Sequence, residues 1–275
     1  MGDQRKRRQL SVAGRSVLSY LYVPGEPPLA DLAVATEGPA RALPGVLTDL
    51  RGWKVATTDE ALANELTGAG CRLVRFSHLY TMDLAAVVPK LEKAGHDLAE
   101  KFEALPFMSV EQYAASGNHW DALIDLSLAA YPEGHPDAES QERGWVRGEL
   151  ESLITGSAIG PLVEGGSEVV VADSSPSAHA AGLLLVNAMP GDPPMGGPWV
   201  SEVCRHPEPT FSGLGSLLLI RAAGRLLANG HSTLSLVVTD GNPARATYER
   251  LGFQFATSAW KVMVPGVAGT PTLTS

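Results

Sequence analysis

Residues 205–230, with the sequence RHPEPTFSGLGSLLLIRAAGRLLANG, hold two glycines one residue apart, where an apolar strand pattern gives way to an apolar helix pattern. The first four backbone N–H groups of a helix have no partner within it, and they lie at the positive end of its dipole. Gly213 and Gly215 lack a Cβ, so an anion can approach those groups closely, and the hydroxyls of Ser212 and Ser216 can add donors. The stretch therefore predicts an anion site, with a tight strand-to-helix turn as the simpler alternative.

Composition and charge exclude several classes of protein. The chain has 275 residues, 44% of them hydrophobic, which is enough for two domains with buried cores. Its net charge of -9 argues against a nucleic-acid-binding surface and permits a cationic substrate. Neither Cys71 and Cys204 nor the histidines have metal-site spacing, so we expect free thiols and no metal. The basic run at residues 5–8 precedes no long apolar segment, so we expect a cytoplasmic protein that binds no membrane.

Residues 105–275 alternate between helix and strand patterns, which predicts a mixed α/β sheet with helices on its faces. The predicted strands are 167–173, 180–189, 199–206 and 232–240, followed by paired strands around FQFATSAWKVMV, and the first two form a hairpin through residues 174–179. The predicted helices are 118–130, 137–154, 213–228 and 242–251.

The pattern before residue 105 is sparser. It contains a strand candidate at 17–23, turn-rich segments up to residue 45, and then a strand–helix–strand unit. The helix of that unit opens at Thr58 or Asp59, and its second strand covers about 72–82. Residues 84–105 form one connecting helix, or two if Pro89 breaks it. We therefore predict a smaller N-terminal α/β domain, 1–104, and a second domain, 105–275.

Two motifs resemble the coenzyme-binding motifs of the GNAT N-acyltransferase superfamily, in that family's order and separation. They are HPEPTFSGLGSLLL, residues 206–219, and TDGNPARATYERLGF, residues 239–253. The family pattern (Gln/Arg)-x-x-Gly-x-(Gly/Ala) falls on residues 210–215, where Thr210 replaces the usual Gln or Arg and Phe211 a frequent glycine. The resemblance covers about residues 106–265 and implies a GNAT fold that binds acetyl-CoA or another acyl-CoA as a cosubstrate.

The resemblance also implies the position of that coenzyme. Acyl-CoA would lie in a splayed gap between the strand that ends near Arg205 and the strand that begins near Thr233, with its pantetheine arm on the main chain. The implied coenzyme contacts are Val203, Cys204, Arg205, Phe211, Ser212, Gly213, Leu214, Gly215, Ser216 and Asn242, with the diphosphate on the amides of 211–216. For Asn242 an N-cap of the last helix is an equally good interpretation.

Acyl transfer to an amine needs a neutral nitrogen and a way to discharge the coenzyme thiolate. Tyr248 matches the family's general acid, although a tyrosine pKa of about 10 exceeds that of a thiol at about 8.5, so hydrogen bonding describes its role better. Glu202 is the candidate base, directly or through water. The alternative for Tyr248 is a tyrosine packed in the core, and the alternative for Glu202 is a solvated or salt-bridged glutamate. Cys204 lacks a readable His partner, so we interpret it as a buried structural thiol.

The acceptor end of the site is expected from the helices and loop between residues 118 and 154, which are acidic enough to suit an ammonium group. A solvated helix face explains the same charges. The acidic residues are Asp121, Asp125, Glu133, Asp137, Glu139 and Glu142. The N-terminal unit faintly resembles the last helix and closing strand of the same fold, YTMDL, so it is predicted to be a truncated tandem copy without a comparable glycine turn and without coenzyme.

Three functions are consistent with these residues. The first is an N-acyltransferase acting on a small-molecule amine in a ternary complex, as a monomer or homodimer. The second is a coenzyme-binding sensor or accessory protein that keeps the fold without turnover, which the residues Thr210 and Phe211 suggest. The third is acetylation of protein N-termini on the same scaffold.

Overall fold

The computed structural model describes residues 6–115, 120–173 and 179–266. The chain divides into two units, one formed by Met1–His78 with Thr257–Ser275 and the other by Leu79–Ala256. The division differs from the predicted one at residue 104, because residues 79–104 belong to the second unit and the end of the chain belongs to the first. Two strands, β5 (Arg72–Asp83) and β11 (Gln254–Met263), each contribute residues to both units.

The first unit is a sheet covered by two helices. Antiparallel strands β1, β2 and β3 are followed by β4, which runs parallel to β3, and β11 then pairs antiparallel with β4. The core of this unit includes Val46 and Leu62 from the two helices and Val262 from β11. The elements are β1 (Arg7–Val12), β2 (Arg15–Val23), β3 (Leu29–Ala35), α1 (Pro39–Asp49), β4 (Lys54–Thr57) and α2 (Glu60–Gly68).

Several predictions for this unit are confirmed and others are wrong. The carboxylate of Asp59 accepts a hydrogen bond from the Leu62 N–H at 3.1 Å, so α2 begins where its N-cap was predicted. The turn-rich segment instead contains β3 and α1, and Gly38, with φ of 92°, is the N-cap of α1. The last described element is the single strand β11, which lies between β4 and β5 in the sheet, and not a pair of strands with each other.

The second unit is a mixed sheet with the strand order β5-β10-β9-β8-β7-β6. Strands β9 and β10 are parallel, whereas β9, β8, β7 and β6 are antiparallel neighbours. The elements are α3 (Leu84–Lys101), β6 (Phe107–Met108), α4 (Val110–Ala115), α5 (Trp120–Ala130), α6 (Arg143–Ile154), β7 (Glu168–Val171), β8 (Ala180–Met189), β9 (Gly197–Arg205), α7 (Leu214–Ala228), β10 (Thr233–Thr239) and α8 (Ala244–Arg250).

Helices cover both faces of this sheet because β8 alternates its side chains between them. Leu184 packs into a core with residues of α3, α7 and α8, while Leu183 and Leu185 pack into a second core with residues of α5 and α6. By length and composition alone, the segment Pro209–Ala228 passes as a membrane span. Its apolar face is instead part of the first of these cores, where Leu218 and Leu226 are fully buried.

One helix prediction is corrected, and an open alternative is decided. The helix predicted over 137–154 begins only at Arg143, because residues 138–142 have no regular structure and the Gln141 side chain binds the Tyr131 carbonyl at 2.8 Å. Residues 84–101 form one helix, which tolerates Pro89 in its second turn. The start of the helix predicted at 118 and most of the hairpin loop predicted at 174–179 lie outside the described residues.

Candidate functional site

Strands β9 and β10 separate after a short parallel contact. Their register covers only Trp199 with Ser235 and Val200 with Leu236. On its other edge β9 has a bulge, because Leu185 pairs with Glu202 while Val186 pairs with Val200, which leaves Ser201 without a counterpart. The carboxyl-terminal halves of β9 and β10 therefore leave a wedge in the sheet, where the sequence predicted a splayed gap.

A cavity of about 500 Å³ lies at this wedge. Its walls come from the ends of β9 and α5, from the start of α7 and from α8 with the turn before it. The lining residues are Ala130, Tyr131, His135, Asp137, Val203, Cys204, Arg205, Pro207, Ser212, Gly213, Gly215, Ser216, Leu219, Asn242, Pro243, Ala244, Thr247, Tyr248 and Arg250. Most of the residues predicted to contact a coenzyme are thus brought together around one cavity.

The glycine turn presents its amides to this cavity only in part. Gly213 is the left-handed N-cap of α7, with φ of 97°, and the first helical hydrogen bond runs from the Leu217 N–H to the Gly213 carbonyl at 3.0 Å. The amides of 213–216 therefore have no partner within the helix. The amides of Phe211 and Ser212 are already bonded at 3.0 Å to carbonyls of the preceding 3₁₀ turn, so their predicted availability is wrong.

Two residues that were predicted to contact the coenzyme, Phe211 and Leu214, do not line the cavity. The side chains of Phe211 and Leu214 are buried in the core between α7 and the sheet, where they fix the position of the turn. The turn is also held from α3, because the Lys101 ammonium donates to the Ser212 carbonyl at 2.6 Å. These contacts set the direction in which the start of α7 points.

Glu202, the predicted base, is held by a residue that the sequence did not single out. The Tyr131 hydroxyl donates to the Glu202 carboxylate at 2.5 Å and lies 3.1 Å from the Val203 carbonyl. The pKa of Glu202 is raised to about 7, chiefly by burial and also by the nearby Asp137 carboxylate, while the hydrogen bonds from Tyr131 and Cys204 oppose the shift. A carboxyl group with this pKa exchanges protons near neutral pH.

Tyr248 is predicted to protonate the leaving thiolate, and its ring is 9% exposed, in the cavity wall. Burial raises the pKa of its hydroxyl above the usual value, and the charges of Asp137 and Glu202 add to the effect. Within the described part of the chain its hydroxyl has no hydrogen-bond partner. It is therefore a neutral donor that stays protonated at neutral pH and is available to a ligand.

Asn242, predicted either to contact the coenzyme or to cap the last helix, has both ends of its amide engaged. Its Oδ1 accepts from the Ala244 N–H at 2.8 Å, and its Nδ2 donates to the Asp137 carboxylate. The residue is 7% exposed. The capping interpretation agrees with these bonds, and Asp137 is a partner that sequence spacing could not reveal.

The acidic region predicted at the acceptor end separates into two groups. Asp121 and Asp125 are exposed on α5 and bind Arg143, as a solvated helix face would. Only Asp137 lines the cavity. Tyr131 was not predicted to be functional, because in the sequence the pair Tyr131-Pro132 indicates only the end of a helix.

The thiol of Cys204 is buried, and burial beside Glu202 raises its pKa well above the usual value, so it is a poor nucleophile. In the described ranges no group of three His, Cys, Asp or Glu side chains is arranged to hold a metal ion.

Comparison with known proteins supports the fold. Residues 196–262, which contain both motifs, match the sequence model of the FR47-like protein family. No curated protein sequence matches the chain. Among solved structures, a GCN5-related N-acetyltransferase from Kribbella flavida matches with 18% identity and a TM-score of 0.52, covering 95% of this chain and 90% of that one. Another, from Sphaerobacter thermophilus, matches with 13% identity and a TM-score of 0.58, over 92% and 79% of the chains.

A tandem GNAT protein from the clavulanic acid biosynthesis pathway matches with 17% identity and a TM-score of 0.57. The alignment covers 95% of this chain and 82% of that one, so it includes both units. The chain therefore has the GNAT fold, as the resemblance implied, and the predicted α/β class is confirmed.

Replacing Gly215 with alanine tests the anion site without straining the backbone. Gly215 lies in the first turn of α7, and nothing stands within 4 Å of an added Cβ, so stability should stay or rise by up to about 1 kcal/mol. The methyl group would face the cavity, so affinity for CoA, measured by calorimetry, should fall about 10-fold. Gly213→Ala is the contrasting variant, because its φ of 97° makes it lose about 1–2 kcal/mol of stability. Unchanged CoA affinity in Gly215→Ala would contradict the site.

Proposed function

We propose that the protein is an N-acyltransferase that moves an acetyl or other acyl group from coenzyme A to the amine of a small molecule, by direct attack in a ternary complex. The observation that carries the proposal is the wedge between β9 and β10, which has the free amides of α7 beside it and Tyr248 in its wall. A pantetheine arm has amides that can pair with the unbonded main chain of such a wedge.

The charges around the cavity support one orientation of the coenzyme. The amides of 213–216, the hydroxyls of Ser212 and Ser216 and the guanidinium groups of Arg205 and Arg250 lie around the cavity and suit the diphosphate and phosphate groups. The main chain of Val203 and Arg205 would hold the pantetheine arm. The acyl group would then point toward Tyr248 and Asp137, which line the cavity, and toward Tyr131, whose hydroxyl is bonded to Glu202.

The chemistry follows from these positions. The acceptor gives up a proton to Glu202, directly or through water, and the lone pair of its nitrogen attacks the thioester carbonyl carbon. A C–N bond forms, the C–S bond breaks, and the nitrogen loses its second proton to solvent water as the amide forms. The thiolate keeps the electron pair of the broken bond. Tyr248 stabilises it by donating a hydrogen bond, because its raised pKa disfavours full transfer of the proton.

Release of CoA thiol from acetyl-CoA, followed with a panel of small amines, tests the proposal directly. We expect amine-dependent thiol release, and a fall in kcat of about 10- to 100-fold in Tyr248→Phe. Folding should be unaffected, because the hydroxyl has no hydrogen bond to lose among the described residues. Both cysteines of the chain are buried, which keeps the thiol background low.

A different result would favour the sensor function. The sensor function is the alternative because Thr210 and Phe211 stand where the family motif has other residues. If CoA binds tightly, no amine or peptide N-terminus releases thiol, and Tyr248→Phe changes nothing, the protein is a coenzyme-binding protein and not an acyltransferase.

The pH dependence of kcat/KM should report Glu202. A base must be ionised to accept a proton, so kcat/KM should rise with pH through about 7, the pKa of this carboxyl group. The hydrogen bond from Tyr131 lowers that pKa, so Tyr131→Phe should move the rise to higher pH. Glu202→Gln should abolish the rise, and a profile that it leaves unchanged would exclude Glu202 as the base.

The first unit is proposed to bind no coenzyme. Its parallel strands β3 and β4 also pair at only two positions, but the Thr57 hydroxyl donates to the Ala33 carbonyl at 2.6 Å and so occupies the main chain there. Helix α1 begins with Pro39, which has no N–H, and Glu37 stands just before it.

Calorimetry should therefore give one CoA per chain. The matched variant is Gly215→Ala, which weakens the site in the second unit, so its single transition should shift to about 10-fold weaker affinity and no tighter transition should remain. Two CoA molecules per chain would contradict the proposal for the first unit.

A further inference from the structure

The main chain of β9 at Val203 faces the wedge. The His206 N–H bonds to the Ala181 carbonyl of β8 at 2.8 Å. Bonded and non-bonded pairs alternate along antiparallel strands, so the pair of Val203 with Leu184, three positions earlier on β9, is a non-bonded one. The Val203 carbonyl therefore points away from β8, toward the side on which β10 has separated from β9. This carbonyl is one of the main-chain groups that the pantetheine arm is proposed to use.

The Tyr131 hydroxyl lies between two acceptors and has only one proton to donate. Its oxygen is 2.5 Å from the Glu202 carboxylate and 3.1 Å from the Val203 carbonyl. When Glu202 is ionised, the carboxylate takes the hydrogen bond, because bonds to a charged acceptor are the stronger ones. When Glu202 is protonated, its carboxyl group can donate to the Tyr131 oxygen, because a hydroxyl accepts as well as donates. The Tyr131 proton is then free to turn to Val203.

Glu202 changes between these two states near neutral pH, because its pKa is raised to about 7, chiefly by burial. The groups that face it are Tyr131 from α5, Asp137 from the turn after α5, Cys204 from β9 and Tyr248 from α8, and β8 places the apolar Leu185 opposite it. Burial raises the pKa of Tyr131 and of Cys204 well above the usual values, so both stay protonated in this range.

The ring of Tyr131 also packs against the ring of His135, with 5.1 Å between the ring centroids. Histidine as a residue type changes charge near neutrality. A variant of His135 is therefore needed as a control for any pH dependence that involves Tyr131.

We propose that Tyr131 is a positioning residue that links the ionisation of Glu202 to coenzyme binding. Its hydroxyl donates to Glu202 when that carboxyl group is ionised, which leaves the Val203 carbonyl open to an N–H group of the pantetheine arm. When Glu202 is protonated, the hydroxyl donates to Val203 and competes with the coenzyme. This change of hydrogen-bond partner is the Tyr131 switch. It rests on the proposed binding of acyl-CoA in the wedge and adds a regulation of that site.

The Tyr131 switch makes the coenzyme and a proton bind in competition. Because the coenzyme binds more tightly to the form with ionised Glu202, its binding must in turn lower the pKa of Glu202 and release a proton to solvent. The affinity for the coenzyme should therefore rise with pH through about 7 and level off at higher pH. Bound coenzyme thus leaves Glu202 ionised, which is the form that can accept a proton.

The experiment measures the affinity for dephospho-CoA between pH 5.5 and pH 8.5 by calorimetry. Dephospho-CoA keeps the pantetheine arm and the diphosphate but lacks the 3′-phosphate, a monoester whose second pKa of about 6 would add its own pH dependence. We expect the affinity to rise about 5-fold over this range, which corresponds to one neutral hydrogen bond. An affinity that does not change with pH would overturn the Tyr131 switch.

Tyr131→Phe should remove the pH dependence in a way that damage to the fold would not. The Val203 carbonyl is then open at every pH, so at pH 5.5 this variant should bind dephospho-CoA about 5-fold more tightly than the unmutated protein does. At pH 8.5 the two affinities should be equal. A pH dependence that persists in Tyr131→Phe would contradict the proposal.

Two control variants should keep the pH dependence of the unmutated protein. Tyr113→Phe removes a hydroxyl from another tyrosine of the same core, one that does not line the cavity. His135→Gln removes the histidine next to Tyr131 and keeps a side-chain acceptor for the Asp137 N–H. Loss of the pH dependence in His135→Gln would assign the titration to His135 and overturn the switch.

A measurement without coenzyme separates the switch from the proposed function. The bond between Val203 and Cys204 is the only valine–cysteine peptide bond in the chain, because Cys71 follows Gly70. Labelling valine with ¹³C at the carbonyl carbon and cysteine with ¹⁵N therefore gives one NMR signal that reports the Val203 carbonyl. Its ¹³C shift should change with pH through about 7 in the unmutated protein and stay constant in Tyr131→Phe.

If the protein binds no coenzyme at any pH, the proposed acyl transfer fails, and the carbonyl signal alone decides the switch. A signal that titrates in the unmutated protein and not in Tyr131→Phe supports it. A signal that does not titrate in the unmutated protein, or that titrates equally in both proteins, overturns it.

Discussion

The cavity of the second unit depends on the parallel strands β9 and β10, which pair at only two positions and then separate. The extra residue Ser201 in β9 bends that strand away from its antiparallel register with β8, and β10 follows β9 for only two positions. Unpaired backbone groups in a sheet are costly unless something else bonds them. Because the first halves of β9 and β10 are tied into a sheet with two buried cores, the separation is confined to their ends, and the cavity forms there.

The polar groups around the wedge are held in position by packing and by hydrogen bonds from residues that take no part in the proposed reaction. Packing of Phe211 and Leu214 sets the direction of α7, and Lys101 ties the turn to α3. On the opposite side Tyr131, at the end of α5, holds Glu202 in a place where burial raises the pKa of its carboxyl group. The amides of α7 and the carboxyl group of Glu202 are thus positioned by different segments of the chain, and each segment packs in its own core.

Features that depend on residues close together in the sequence could be predicted, and features that depend on contacts between distant residues could not. The glycine turn, α7 and the strands β8, β9 and β10 follow local periodicity, and they were predicted nearly to the residue. The motif around Asn242 indicated the family, but the partner of Asn242 is Asp137, which is distant in sequence. The tyrosine that holds Glu202 was equally hidden, since Tyr131 and Glu202 meet only through tertiary structure. The occupied amides of Phe211 and Ser212 depend on a 3₁₀ turn that no spacing rule specified.

The path of β5 and β11 has a consequence for the order in which the chain can acquire its structure. Strand β4 finds its antiparallel neighbour in β11, so Thr57 stands opposite Trp260, and the second unit takes residues 79–83 from the first half of the sequence. During synthesis the ribosome releases β4 long before β11, so the edge of β4 is without that neighbour while most of the protein is being made. Pairing between such distant segments slows folding and leaves open strand edges that favour association between nascent chains. The first unit can therefore complete its sheet only after the C-terminal strand β11 has been synthesised.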